Sequence, residues 1–397
     1  MPISPARRAA FDILTKVDQG GFASDLLAAL PAAFDRRDLN LATELVLGCL
    51  RRQSQLDHLV RQFSGRAGRF DTAVSIALRL GIYQIRHLDR VPRHAVVDDS
   101  VSLTRAAGKA SATGLVNAVL RKVDTRPAEF PSPAVVAGLP DWLYAKWLGV
   151  HGPAIAAAIA AACLTAPDTY LRVPAGREEE ARALGAGPTE VEGCFRLAPG
   201  RDPGAFRIQD LGSQTLVPLL ALEPGHRFLD LCAAPGNKTA QALESGVAQT
   251  VAADHSVKRL HALAPLGCPL VALDATRPLP FSRPFDRILV DAPCSGTGTL
   301  ARNPEIRWRL QPQDLARHHD RQVAILANAL GALSPGGLLV YSTCSLEAEE
   351  NETVVEEALA RSGPRFALEK TARRLPGRDQ GDGFFAAVIK SSVPQSV

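Results

Sequence analysis

The sequence predicts a multidomain chain: an all-α helical bundle, then a small α+β module, then an α/β domain of Rossmann type built on a mostly parallel sheet. Three observations carry that prediction. Residues 1 to about 127 place apolar side chains at helical spacing and show no strand signal. Residues 141–205 mix helices with short strand-like pieces. From Phe206 onward short aliphatic strands alternate with helical stretches, the pattern of parallel βαβ units. A length of 397 residues leaves room for two or three such parts, each with its own core.

In the first part Ala9, Phe11, Ile13, Leu14 and Val17 recur at helical spacing, as do Leu45, Val46, Leu50, Leu56, Leu59 and Phe63. Breaks at Gly20 and Gly21, Phe34 to Asp38, Gly65 to Gly68, Pro92, and Gly108 to Ala112 predict about six helices. Pro127, Pro131, Pro133 and Pro140, with few large apolar residues between them, mark 128–140 as a linker. In 141–205 the stretch DWLYAKWLGVHG is an amphipathic helix and 154–164 an alanine-rich one. Trp142 and Trp147 read as core residues of one buried helix face, and no aromatic signature of base stacking is present. TYLRVP and CFRLAP are strand-like and flank the helix REEEARALGA.

The third part, 206–390, delivers acids and thiols to the carboxyl ends of its strands, the edge of an open α/β sheet where ligands bind. RFLDLCA runs into the tight turn APGNKT and a helix. TVAADHS ends at Asp254, and PLVALDA reaches Asp274. DRILVDAPCSGTGTL ends a buried-type strand in Asp291 and Cys294, and GGLLVYSTCS ends another near Cys344. The helix-forming stretch Gln313 to Leu333 between these two makes them parallel neighbours, so both thiols face one crevice. A lone cysteine is more often a small core hydrophobe, and it is the pairing that points to chemistry. APGNKT is no Walker loop, because the required glycines are Asn237 and Cys232, and no GxGxxG turn occurs. A nucleoside-bearing ligand remains, with Asp254 about twenty residues past the first turn, where a carboxylate accepts both ribose hydroxyls. Asp274 is placed to accept from an adenine amine. Residues 391–397 are expected to fray.

The apolar fraction of 46% and charged fraction of 22% are those of an ordinary globular protein. The longest apolar run, around Ala154 to Leu164, is too short to cross a bilayer, so no membrane partner is expected. Seven scattered cysteines without a CxxC pair suit neither a disulfide framework nor a zinc site, and the N-terminus lacks the order of a secretory signal. A cytoplasmic, metal-free and monomeric protein is the expectation. The formal charge of +4 is uneven: 19 Lys and Arg face 12 Asp and Glu in residues 1–127, a balance of +7 that suits a polyanion.

Residues 6–14 (ARRAAFDIL), 79–103 (RLGIYQIRHLDRVPRHAVVDDSVSL) and 114–122 (GLVNAVLRK) resemble the NusB-like RNA-binding domain. That resemblance implies a helical RNA-binding module over 1–127, with Arg7 and Arg8 as phosphate contacts. FLDLCAAPGNKT, DAPCSGTGTL with RNPEIRW, YSTCSLEAEEN, IQDLGSQ and GDGFFAAVIK resemble the S-adenosyl-L-methionine-dependent RNA cytosine-5 methyltransferases of the Nop/Sun family. With the helical domain, they are similar to the bacterial subfamily acting on 16S ribosomal RNA. The resemblance implies a methyltransferase whose cofactor contacts are Cys232, Ala233, Ala234, Pro235, Gly236, Asn237, Lys238, Asp254, Asp274 and Asp291. It assigns Cys344 as nucleophile and Cys294 to product release, while Asp291, at its strand end, is placed as the acid that meets the ring nitrogen as charge develops. The residue chemistry alone leaves the two thiols interchangeable, since either could add to carbon 6 of cytosine. Asn237 replaces the family's second glycine, and asparagine tolerates the left-handed backbone a glycine would supply. A transfer-RNA methyltransferase and a non-catalytic RNA-binding assembly factor are the competing functions.

Overall fold

The computed structural model describes residues 3–31 and 34–392. The chain forms two compact units, and the boundary falls at Ala166, with residues 300–309 belonging to the first unit although they lie in the middle of the second unit's sequence.

The first unit begins with seven helices: α1 (Pro5–Asp18), α2 (Ala23–Ala28), α3 (Arg36–Arg51), α4 (Gln53–Ser64), α5 (Thr72–His87), α6 (Arg93–Ala106) and α7 (Thr113–Lys122). Asp35 and Asp71 cap α3 and α5 by accepting from Asp38 N and Ala73 N. Gly65, at φ 68°, ends α4. The seventh helix arises because α3 and α4 are parted by Arg52 alone, at φ −107° and ψ 17°, with no proline or glycine to announce the break. Leu45, Leu56, Leu59, Leu78 and Ile82 are among the residues that fill the core. Arg7 belongs to that architecture: it is 8% exposed, with Nη1 2.6 Å from Asp99 Oδ2 and Nε donating to Gln84 Oε1. It is thus committed to an internal ion pair and not to a phosphate.

The expected linker is packed structure. Ala134, Ala137 and Leu139 are buried around the short α8 (Pro133–Val136), whose N-cap is Ser132. The long α9 (Asp141–Leu164) follows within the same unit, so the module expected over 141–205 begins at Pro167 instead. By length and composition α9 could cross a membrane, but Gly152, at φ 76°, and Pro153 break it in two. Trp147 is buried and Trp142 only half-buried; five residues apart on a helix, they point to different faces.

The second unit contains two sheets. In the first, β1 (Thr169–Arg172), β2 (Ala186–Pro188), β3 (Cys194–Leu197) and β4 (Arg207–Ile208) form an antiparallel sheet ordered β2-β3-β1-β4, with α10 (Glu178–Ala183) and α11 (Leu211–Gln214) beside it in sequence. The larger sheet holds β5 (Arg227–Asp230), β6 (Gln249–Asp254), β7 (Leu270–Ala272), β8 (Phe285–Asp291), β9 (Leu333–Thr343), β10 (Phe366–Arg374) and β11 (Phe384–Ser391). Its order is β10-β11-β9-β8-β5-β6-β7; β5 to β9 run parallel, while β11 and β10 are antiparallel additions. The chain winds outward from β5 through β6 to β7 and then returns to place β8 on the other side, so β5 and β8 flank the switch point.

Strand residues alternate between two cores. Leu229, Ile288, Val290, Leu339, Tyr341, Phe385 and Ala387 face one, with α15 (Pro312–Gly331) and α16 (Glu352–Ser362) packed over them. Phe228, Leu289, Val340, Phe384, Ala386 and Val388 face the other, toward the 216–220 turn and Ala242 of α12 (Asn237–Leu243). The helix α13 (Val257–Leu260) follows β6. The strand β11 continues through Ser391, which is fully buried and pairs with Phe366, so the expected frayed tail does not begin there; residues 393–397 lie outside the described residues.

Residues 300–309, which contain α14 (Ile306–Arg309), are threaded into the helices of the first unit by main-chain acceptors. Arg307 is fully buried and donates to the carbonyls of Arg51, Gly138, Cys163 and Leu300 at 2.8 to 3.3 Å. Trp308 Nε1 donates to Leu50 O at 2.8 Å, and Arg309 Nη2 to Val17 O and Gly21 O. Glu305 accepts from Ala23 N at 2.9 Å.

Candidate active site at the switch point of the sheet

The parallel pairing of β8 with β9 sets Asp291 opposite Ser342, and the loops that follow carry Cys294 and Cys344 over the same edge. Their sulfurs are 3.4 Å apart. Lys238, on the first turn of α12, reaches across to Asp291, with Nζ 2.6 Å from Oδ2, while Ser342 Oγ donates to Oδ1 at 2.9 Å. The acid, the ammonium and both thiols are therefore one cluster.

Electrostatics differ across that cluster. Burial works against the charge on Lys238, but the charge and hydrogen bond of Asp291 outweigh it and leave the ammonium above its ordinary range, with Asp230 and Cys344 adding to the effect. The Cys294 thiol is pushed well above its usual value, first by its hydrogen bond to Cys344, then by burial, then by the charges of Glu350 and Asp291. These effects favour the neutral form of Cys294, and across the 3.4 Å contact either sulfur can be the donor. Cys232 is also held protonated, chiefly by burial. Asp230, buried beneath the cluster, is raised by desolvation to about 7, against the stabilising hydroxyl of Thr239 at 2.7 Å.

Beside the thiols lies a cleft of roughly 740 Å³, open mouth included, lined among others by Cys232, Ala234, Asp254, Asp274, Asp291, Cys294 and Cys344. Asp254 is 4% exposed at the end of β6; its oxygens accept from Ala234 N at 3.2 Å and Ser256 N at 2.9 Å, and His255 Nδ1 is 3.3 Å away. Each oxygen keeps a lone pair for a further donor. Asp274 stands two residues past β7, with a side chain 55% exposed. The Thr276 hydroxyl and backbone amide lower its pKa and bind its Oδ1. Leu273 supplies an apolar wall between the two acids. Two spaced carboxylates with an apolar surface between them suit a nucleoside better than a bare phosphate.

The remaining sequence candidates are not in the cleft lining. Ala233 packs with Leu263 and Ala252, and Asn237 turns its amide to Ile208 O at 3.2 Å. The left-handed residue of the turn is Gly236, at φ 106°, where a Cβ would come within 2.8 Å of Leu263 Cγ; Asn237 is instead the first residue of α12 and does not adopt a positive φ. Pro235 follows a cis peptide bond in the same turn. Lys238 serves Asp291 rather than lining the cleft. Sequence reasoning passed over His255, Arg259 and Arg321, which line the cleft, and Gln322 and Glu350, which lie beneath the cysteine loops. Arg259 had no visible signal, since it acts by donating to Ala234 O at 2.7 Å. Among the described residues no group of three or more His, Cys, Asp or Glu could hold a metal ion.

Comparison with known proteins places this geometry in context. The 16S rRNA methyltransferase RsmB/F family matches residues 217–390, and the NusB family matches residues 4–125. Ribosomal RNA small subunit methyltransferase B of Klebsiella pneumoniae is 34% identical over 94% of this chain and 95% of its own length. The protein of the same name from Xanthomonas campestris is 34% identical over 97% and 96%. Among solved structures, PH0851 superposes with a TM-score of 0.82 at 21% identity over 98% of this chain and all of that one, which is a likeness of fold. A methyltransferase homolog protein from Pyrococcus horikoshii, 26% identical, covers 66% of this chain and 99% of its own at a TM-score of 0.56.

Proposed function

The chain belongs to the ribosomal RNA small subunit methyltransferase B family, and from that premise we propose that it transfers a methyl group from S-adenosyl-L-methionine to carbon 5 of a cytosine in 16S ribosomal RNA through a covalent adduct with Cys344. The observation that carries this reading is the pair of sulfurs 3.4 Å apart beside the Lys238–Asp291 pair. Methyl transfer to oxygen or nitrogen needs no thiol, whereas carbon 5 of cytosine is a poor nucleophile until a thiolate adds to carbon 6.

The cleft fits the methyl donor, with Asp254 as the acceptor for ribose hydroxyls, Leu273 against the base and Asp274 beyond it. The donor, when bound, supplies an electrophilic methyl group on a sulfonium. Everything else is done by side chains. Cys344 gives up its thiol proton as its sulfur bonds to carbon 6, and the ring's π pair becomes available at carbon 5. Lys238 donates to Asp291 across 2.6 Å and so fixes the acid that meets the ring nitrogen, where the proton given up by Cys344 settles as charge gathers. After transfer, Cys294 gives its proton to the departing Cys344 sulfur and takes the proton of carbon 5. The bond between carbon 6 and sulfur breaks, the double bond re-forms, and one proton leaves to solvent. The raised Cys294 thiol suits this late role.

The positive balance of residues 1–127 and their match to the NusB family support ribosomal RNA as the partner of the helical unit. The test is transfer of a labelled methyl group from S-adenosyl-L-methionine into 16S ribosomal RNA, followed by mapping of the modified base. Label in an adenine, or in transfer RNA alone, would overturn the proposal.

A further inference from the structure

Beneath the two thiols lies a charge that the reaction above does not use. Glu350 ends the turn Ala348–Glu350 before α16 and is 0% exposed. Its Oε1 accepts from Ser295 N at 2.8 Å and Gln322 Nε2 at 3.1 Å. Its Oε2 accepts from Ser345 Oγ at 2.5 Å and, in a short hydrogen bond, from Ser295 Oγ. Ser295 directly follows Cys294 and Ser345 directly follows Cys344, so one carboxylate joins the two cysteine-bearing loops. Each serine hydroxyl has a single proton, and with both spent on Oε2 the 3.2 Å between Ser295 Oγ and Ser345 Oγ is bridged only through Glu350.

The neighbourhood reinforces that junction. Tyr341 donates its hydroxyl to the Glu350 carbonyl at 2.7 Å. Asn351 accepts from Thr343 Oγ1 at 2.6 Å and donates to Ser345 O at 3.0 Å. Gln322 also donates to Pro293 O at 3.0 Å, which ties α15 to the first cysteine loop. Four donors converge on two oxygens, and only an ionised carboxylate accepts all of them. No Lys or Arg among the described residues is paired with Glu350, and the nearest cation candidate is His318 Nδ1 at 4.0 Å. A buried charge held by neutral donors is costly. An amide of the same size would instead turn a donor against Ser295 N or a serine hydroxyl.

We propose that Glu350 is the positioning residue of the dithiol: by holding Ser295 and Ser345 on one carboxylate it sets the separation of the Cys294 and Cys344 sulfurs, so that one can attack and the other can assist release. This rests on the cytosine-5 reading. The negative charge also contributes to keeping Cys294 protonated, which fits its late role.

The test uses the full chain and two measurements. In Glu350→Gln, kcat should fall roughly 100-fold, the scale of an ångström-sized misplacement, while KM for RNA and for S-adenosyl-L-methionine stay within about twofold. Phenylarsine oxide, which bonds two thiols at once with loss of water, should bridge Cys294 and Cys344 in the wild type and react about tenfold more slowly in the variant. Should Glu350→Gln fail to fold, Ser345→Ala removes one of the bridging hydroxyls and should show the same split at smaller amplitude. A folded variant with wild-type kcat and unaltered arsenical capture overturns the proposal. The capture needs no RNA, so a wild-type chain that made no 5-methylcytosine would refute the function while the capture rate still decided the role of Glu350.

Discussion

Cys294 and Cys344 lie 3.4 Å apart but act at different steps of the proposed reaction, and single substitutions isolate those steps. Cys344→Ala should abolish turnover and leave no protein–RNA adduct. Cys294→Ala should attack, transfer the methyl group and then stall, so that a complex survives denaturing electrophoresis. The opposite pattern would make Cys294 the nucleophile. At Asp254 the alanine variant should weaken S-adenosyl-L-methionine binding by about 1 to 3 kcal/mol, read by calorimetry, because charge-assisted hydrogen bonds to the ribose are lost. Unaltered affinity would leave Asp254 a mere staple for Ala234 N and Ser256 N. Asp230 gives a pH signature. Its folded value, about 7, lies above the ordinary carboxylate value of 3.8, so the folded state binds more protons between those limits. Its contribution to stability is full below about pH 4 and is lost as pH rises through 7. Chemical denaturation across that range should show the decline in the wild type and a flatter curve in Asp230→Asn.

At the scale of elements, the segment 300–309 links the fate of two regions of sequence. It follows the Cys294 loop by only a few residues, yet every partner of Arg307 named above is a carbonyl of the first unit. Burial lowers the Arg307 guanidinium to about 10, which still leaves it charged at neutral pH. Arg307→Met would leave four buried acceptors without their donor. A loss of about 3 kcal/mol or more in chemical denaturation is expected, the scale of breaking a buried charged network. A change below about 1 kcal/mol would mean that water replaces the guanidinium there.

At the scale of the molecule, truncation at residue 127 is not a clean domain removal. The first unit runs to Ala166, and Leu50, Arg51, Val17 and Gly21 supply acceptors to residues 307–309. Deleting residues 1–127 should therefore do two things. RNA affinity should fall and its salt dependence flatten, since fewer counterions are released. The 300–309 segment should become the first site of limited proteolysis, having lost its bed. Persistence of that segment against protease in the truncated chain would show that residues 128–166 suffice to hold it.

The elements and the site cluster of this protein were legible because both rest on local pattern. Continuous apolar runs in β8, β9 and β11 mark strands buried on two faces, and acids and thiols at or just past the ends of parallel strands, Asp254, Asp291 and Cys344, mark the edge where ligands bind in open parallel sheets. Three features were decided only by tertiary structure. Arg7 looks like a phosphate ligand until Asp99, 92 residues away in sequence, is beside it. Lys238 sits in the turn that resembles a cofactor loop but spends its charge on Asp291, 53 residues on. Glu350 stands in the stretch YSTCSLEAEEN with no role assigned from the sequence, because burial and long-range donors leave no trace in composition. Hydrogen bonding and packing at short range follow the residue order of a segment, whereas the partner of a buried charge is chosen by which strands lie side by side, and that is settled only when the sheet is assembled.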